Sequence, residues 1–135
     1  MTQLVQGLAQ DRIDYIQLQQ QLEFQRTFLL TRDTEQLSAL SQQLLYTYQV
    51  LSERAVQRQR QLRELNVSAD KEGMYSLFQR LSIVQRQKVS ALLSDLECQV
   101  QRTHALNERN GMVLHMQQDI MDNIINADRP DAFLY

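Results

Sequence analysis

Several things this chain lacks sort it before any motif is read. Tryptophan is absent, proline occurs once, and three glycines are spread over 135 residues. So few breakers leave little punctuation for the many turns of an all-β chain, and sustained alternation of β-branched and polar residues is missing too. The lone cysteine, Cys98, excludes an internal disulfide and has no partner for a zinc-ligand spacing. No apolar run approaches the roughly 18 residues of a membrane-spanning helix. The opening MTQLVQGLAQDR has neither the basic start nor the continuous apolar stretch of a secretion signal. A strong charge imbalance is also missing: the formal charge is −2 and the pI about 5.6, with both signs well mixed along the chain. That removes the general electrostatic reason to expect nucleic acid or anionic lipid as the main partner. These absences predict a soluble, cytoplasmic protein without membrane insertion, and the length suits one domain over 1–135.

Glutamine, leucine and arginine dominate what is there, and all three are good helix formers. The expected fold class is therefore all-α. Glutamine-rich runs such as QLQQQLEFQ keep leucines at helical spacing, so they read as solvated helix surface.

Three helices follow from the apolar stripes, at about 2–30, 34–65 and 75–126. In the second, Leu37, Leu40, Leu44, Tyr48, Leu51, Ala55, Leu62 and Leu65 share one face, and only Arg58 interrupts them. Asp33 or Thr34 supplies its N-cap, while Arg58, Arg60 and Arg63 suit its negative pole. In the first, Leu4, Leu8, Tyr15, Leu18, Leu22 and Leu29 form one stripe, and Ile13, Ile16, Phe24 and Phe28 project to another side. That helix is expected to touch two partners. Residues 66–74, NVSADKEGM, have the composition of a loop.

The third stripe runs through Leu77, Leu81, Val89, Leu93, Leu96, Val100, Thr103, Asn107, Asn110, Leu114, Gln117, Met121 and Ile124, and stops before Pro130. A helix of about fifty residues would be roughly 75 Å long, against about 45–50 Å for the other two. The architecture predicted is an antiparallel three-helix bundle or coiled coil whose long last helix extends beyond the first two. Lying along the second helix, it should run out of cover after about 33 residues, near 107 or 108.

Asn107 and Asn110 stand on the stripe at that point, followed by Gly111, and polar seam residues fix register at a cost in stability. Beyond them the chain turns rich in methionine and isoleucine, and an uncovered apolar stripe of that size is a binding surface. The candidate partner-binding region is about 107–130, with Asn107, Asn110, Gly111, Val113, Leu114, Gln117, Ile120, Met121 and Ile124 as its residues. The competing reading makes RNG a turn, folding 112–126 back as a fourth helix.

Catalytic and metal readings find little. His104 with Glu108, and His115 with Asp119, have zinc-like i to i+4 spacing, but each pair offers two ligands and the pairs lie roughly 16 Å apart along the helix. A histidine phosphotransfer domain using His104 would want a basic residue three positions on and a small one four positions on. Asn107 and Glu108 stand there instead, and a carboxylate beside a phosphohistidine is electrostatically wrong. No enzyme, metal or cofactor is expected. A generic coiled-coil adaptor remains compatible with every feature above.

LNERNGMVL, late in a small, Gln- and Leu-rich helical chain, resembles the FlgN family of flagellar type III export chaperones, whose last long helix carries Asn-x-x-Asn, a small residue and then apolar residues. Asn107, Asn110 and Gly111 match that element. The resemblance implies a chaperone that binds the C-terminal helical segments of the hook–filament junction proteins FlgK and FlgL through its last helix. It further implies presentation of that cargo to export gate components. The chain itself is expected to be a monomer or weak homodimer.

Overall fold

The computed structural model describes residues 1–121, with side chains described through residue 114. Four helices follow one another: α1 (Thr2–Thr31), α2 (Thr34–Glu64), α3 (Lys71–Phe78) and α4 (Ile83–Met121). Among the described residues there is no strand, and the fold is an all-α bundle, as expected.

Local chemistry sets the boundaries. At the end of α1, Arg32 takes the left-handed conformation (φ 56°), and the Asp33 N–H reaches back 3.0 Å to the Phe28 carbonyl. Asp33 then caps α2, its carboxylate accepting from the Gln36 N–H at 3.1 Å. Past α2 the left-handed residue is Asn66, φ 60°, a residue type that tolerates this region.

The third predicted helix is in fact two. Asp70 caps α3 by accepting from the Gly73 N–H at 2.8 Å, so the segment expected as loop turns helical at Lys71. After Phe78 the chain turns, and the Ser82 hydroxyl accepts from the Gln85 N–H at 3.3 Å to open α4. Arg86 closes the break by donating to the carbonyls of Phe78, Gln79 and Leu81, which α3 leaves without helical partners.

Helix α1 is the centre of the bundle. Its leucine stripe is buried throughout, Leu4, Leu8, Leu18, Leu22 and Leu29 each being 3% exposed or less. Against it pack Leu40, Leu44, Leu51 and Leu62 of α2, Leu77 and Phe78 of α3, and Val89, Leu93, Leu96 and Val100 of α4 in one core. The paired residues give the directions. Asp11 meets Arg58 and Gln21 meets Thr47, so α2 runs antiparallel to α1; Arg12 meets Asp95 and Glu23 meets Arg109, so α4 runs parallel to it.

Two expectations change here. The last helix lies chiefly along α1 and barely meets α2. Moreover, the side of α1 formed by Ile13, Ile16, Phe24 and Phe28 is not a second packed stripe: Ile13 and Phe24 are 55% and 58% exposed, Ile16 is half-buried, and Phe28 alone of the four packs against the core. The leucine stripe is shared by both neighbours, and the flank toward α4 is polar. There the Gln19 amide donates to the Gln99 carbonyl and side chain at 3.1 and 2.9 Å, and Arg12 holds the Asp95 carboxyl below its ordinary range.

Arg58 is not a pole-facing surface residue. It is buried and pairs with Asp11, while Arg54 bridges Asp11 and Asp14 at 2.7 Å each. Burial pushes the Asp11 carboxyl up against the pull of both guanidiniums. A buried network of this kind contributes more to α1–α2 register than to net stability.

Candidate functional site

The candidate residues fall where α4 passes the far end of α1. Asn110 is 1% exposed, and its amide donates to the Leu22 carbonyl at 2.7 Å and to the Gln25 side chain at 2.9 Å. One residue before it, Arg109 lies 3.1 Å from Glu23. Asn110 therefore binds α4 to α1 and does not mark the point where packing ends.

The length argument needs a new origin, because α3 and its turn use residues 71–82 before α4 begins. With Asn110 level with Gln25, and α1 continuing to Thr31, α4 keeps a neighbour for about six more residues, to about 116. The overhang starts there, one to two turns later than 107–108. Helix α4 runs without interruption through Asn110 and Gly111 to Met121, so RNG is not a turn.

The other proposed residues sort along this line. Asn107, Gly111, Val113 and Leu114 are half-buried on the last covered turns. A Cβ built on Gly111 would meet no atom within 4 Å, so no close approach requires glycine there. Gln117, Ile120 and Met121 belong to α4 by backbone, their side chains lying outside the described ones. Ile124 and the rest of 122–130 lie outside the described residues.

Three apolar side chains are exposed at this end, of which sequence reasoning passed over Leu30. Leu30 on α1 is 59% exposed and level with about 115–117 of α4, and Met112 is 65% exposed. Phe24, itself exposed, stacks on Phe28 with ring centroids 6.2 Å apart. Leu30, like Phe24, stands off the buried leucine face, which was a usable signal for it. Together these groups give the bundle an end that is apolar on α1 and continues along α4.

No set of three or more His, Cys, Asp or Glu side chains that could hold a metal comes together among the described residues. His104 is half-buried on α4 and Cys98 is exposed. No described helix is long and apolar enough to cross a membrane.

Comparison with solved structures finds a similar fold in a candidate flagella synthesis protein FlgN from Pseudomonas aeruginosa, whose crystal structure was determined at 1.48 Å. The TM-score is 0.76 at 24% sequence identity, covering 84% of this chain and 88% of that one; at this identity the likeness is one of fold. No curated protein matches the chain significantly. The family model for FlgN protein matches residues 1–132, nearly the whole sequence, and the chain belongs to the FlgN protein family.

Proposed function

We propose that this protein is a cytoplasmic flagellar export chaperone that captures the C-terminal helical segments of the junction proteins FlgK and FlgL and delivers them to the export gate. The observation that carries the reading is the continuation of α4 past the last residue of α1 as one helix, with Met116, Ile120 and Met121 following at helical spacing. Its setting supports the same view: Leu30 and Met112 leave apolar surface exposed beside the point of emergence. Such a face suits an amphipathic cargo segment that orders as it docks, and methionine adapts it to more than one sequence. The capture site then spans about 112–130, with Gln117, Ile120, Met121 and Ile124 as contacts, while Asn107 and Asn110 position the helix that carries them.

Titration calorimetry of the full chain against C-terminal peptides of FlgK and FlgL tests this, paired with circular dichroism. Changing Met121 and Ile124 together to Asp places unpaired charge in any helix–helix contact formed there. That costs several kcal/mol, or more than about a hundredfold in affinity. The thermal midpoint should stay within a few degrees of wild type, since Met121 lies past the level at which α1 ends and Ile124 follows it in the sequence. Wild-type binding by this double variant would overturn the site, and no binding by the wild-type chain would overturn the cargo.

A further inference from the structure

Where α4 passes the far end of α1, two guanidiniums have one carboxylate between them. Arg109 Nη2 lies 3.1 Å from Glu23 Oε2 as an ion pair without hydrogen-bond geometry, and its Nε and Nη2 are both buried with no hydrogen-bond partner. Arg26 stands three residues after Glu23 on the same side of α1, and one after Gln25, which accepts from Asn110 beside Arg109. Its Nε is also buried without a partner, and Arg26 forms no ion pair among the described residues. Both arginines are half-buried, while Glu23 is the more exposed member of its pair, at 55% against 31%. Glu108, the other carboxylate of this stretch, is exposed and stands about 100° round α4 from Arg109. A half-buried guanidinium without a counter-charge favours an arriving carboxylate, which meets its planar fork with two hydrogen bonds.

The same flank turns apolar within one turn on both helices. On α1, Leu30 follows Arg26 by four residues and is 59% exposed; on α4, which runs parallel, Met112 follows Arg109 by three and is 65% exposed. About 5 Å therefore separates cation from apolar side chain along each axis. The contacts of Arg109 with Glu23 and of Asn110 with Gln25 hold the two helices level. The result is a surface cationic first and apolar one turn on, leading to the part of α4 that continues past α1.

We infer, on the basis of the proposed function, that the captured cargo segment carries an Asp or Glu side chain seated on Arg26 and Arg109, with an apolar residue one turn away on Leu30 and Met112. A side chain fits where a chain terminus does not. Residues at i and i+3 or i+4 of a docked helix repeat the one-turn spacing of the surface, while a frayed terminus holds no fixed distance to its apolar face. The same geometry selects between cargoes, because a basic residue at that point of the segment meets two guanidiniums and is rejected.

Titration calorimetry of the full chain with C-terminal peptides of FlgK and FlgL tests this, each Asp or Glu of the bound peptide being replaced in turn by Asn or Gln. One replacement should weaken binding about tenfold, between the losses expected for exposed and for buried charge pairs. Arg26→Gln with Arg109→Gln should weaken binding of the unaltered peptide by a similar factor, with circular dichroism unchanged. The two losses should not add: the altered peptide should bind the altered chain about as well as it binds wild type. Salt should weaken the wild-type pair and leave the doubly altered pair nearly unaffected. The peptide series uses the wild-type chain, so it decides the matter whether or not the double variant folds. A wild-type chain that binds neither peptide would overturn the proposed function and this assignment with it. Cargo binding that survives every peptide replacement, losses that add, or a loss produced only by amidating the peptide's terminus would overturn the assignment alone.

Discussion

Replacing Asn110 by Asp tests the placement of α4 more directly than any other single change. The two residues have nearly the same shape, so packing is preserved while the donor at 2.7 Å from the Leu22 carbonyl becomes an acceptor. Gln25 can turn its amide to meet one carboxylate oxygen, but the Leu22 carbonyl belongs to the backbone of α1 and cannot. With the site 1% exposed, the new charge is buried beside an acceptor, a loss of about 3–5 kcal/mol at neutral pH. For a chain of this size that is about 10–18 °C in Tm, measured by circular dichroism with urea unfolding alongside. The sign with pH is defined. Burial raises the new carboxyl above its unfolded value of about 3.9, so the penalty is absent below that value and grows as pH rises through the folded pKa. Asn110→Leu, which removes donor and acceptor together, should stay within about 1 kcal/mol of wild type. A loss below about 1 kcal/mol for Asn110→Asp at pH 7 would refute the reasoning, because α4 would then already have left α1 at that level.

Gly73→Ala should cost at least about 2 kcal/mol and speed amide exchange in α3, since its Cβ would sit 1.7 Å from the Ser68 carbonyl oxygen. Gly111→Ala should raise stability by about 0.5–1 kcal/mol in urea unfolding, because the added methyl meets open space and the helix loses its least favourable residue. In acid, Asp70, held low by the Ser68 hydroxyl and the Gly73 N–H, and Asp95, held low by Arg12, stabilise the fold above the ordinary value of 3.8 and lose that contribution as pH falls through their lower folded values. Asp11, pushed up by burial, gives the opposite slope just above 3.8; Asp70→Asn should flatten only the acid limb of the unfolding midpoint against pH.

Much of the fold was legible because it depends on periodicity and caps. The leucines of α1 and the Leu40–Leu62 face of α2 are buried as their spacing requires, and Asp33 caps α2. The division of the third helix also had a signature that went unread: Ser82 followed three residues later by Gln85 fits a capping box, and Asp70 precedes an acidic first turn. The α1–α2 network was equally legible in principle. Asp11 interrupts one stripe, Arg58 the other, and opposite charges breaking two facing stripes are a reason to pair them.

Asn110 was a different kind of problem. A polar residue on an apolar stripe can mark the end of packing or a buried bond within it, and the partner decides which. Here the closer acceptor is the backbone carbonyl of Leu22, a group every residue possesses and no sequence advertises. The same missing information displaced the site. A helix overhangs only relative to the neighbour it lies against and the level at which it starts, and both depend on the turn at 79–82 and on α4 choosing α1 over α2. Once those are fixed, Asn110 belongs to the packing of α4 on α1, and the capture surface proposed above begins further along α4. Asn110 anchors the helix on α1, and the backbone of α4 continues from that anchor to Met121. That arrangement accounts for a half-buried Leu114 and an exposed Met112 within one turn of each other, since the former still faces the bundle and the latter faces away.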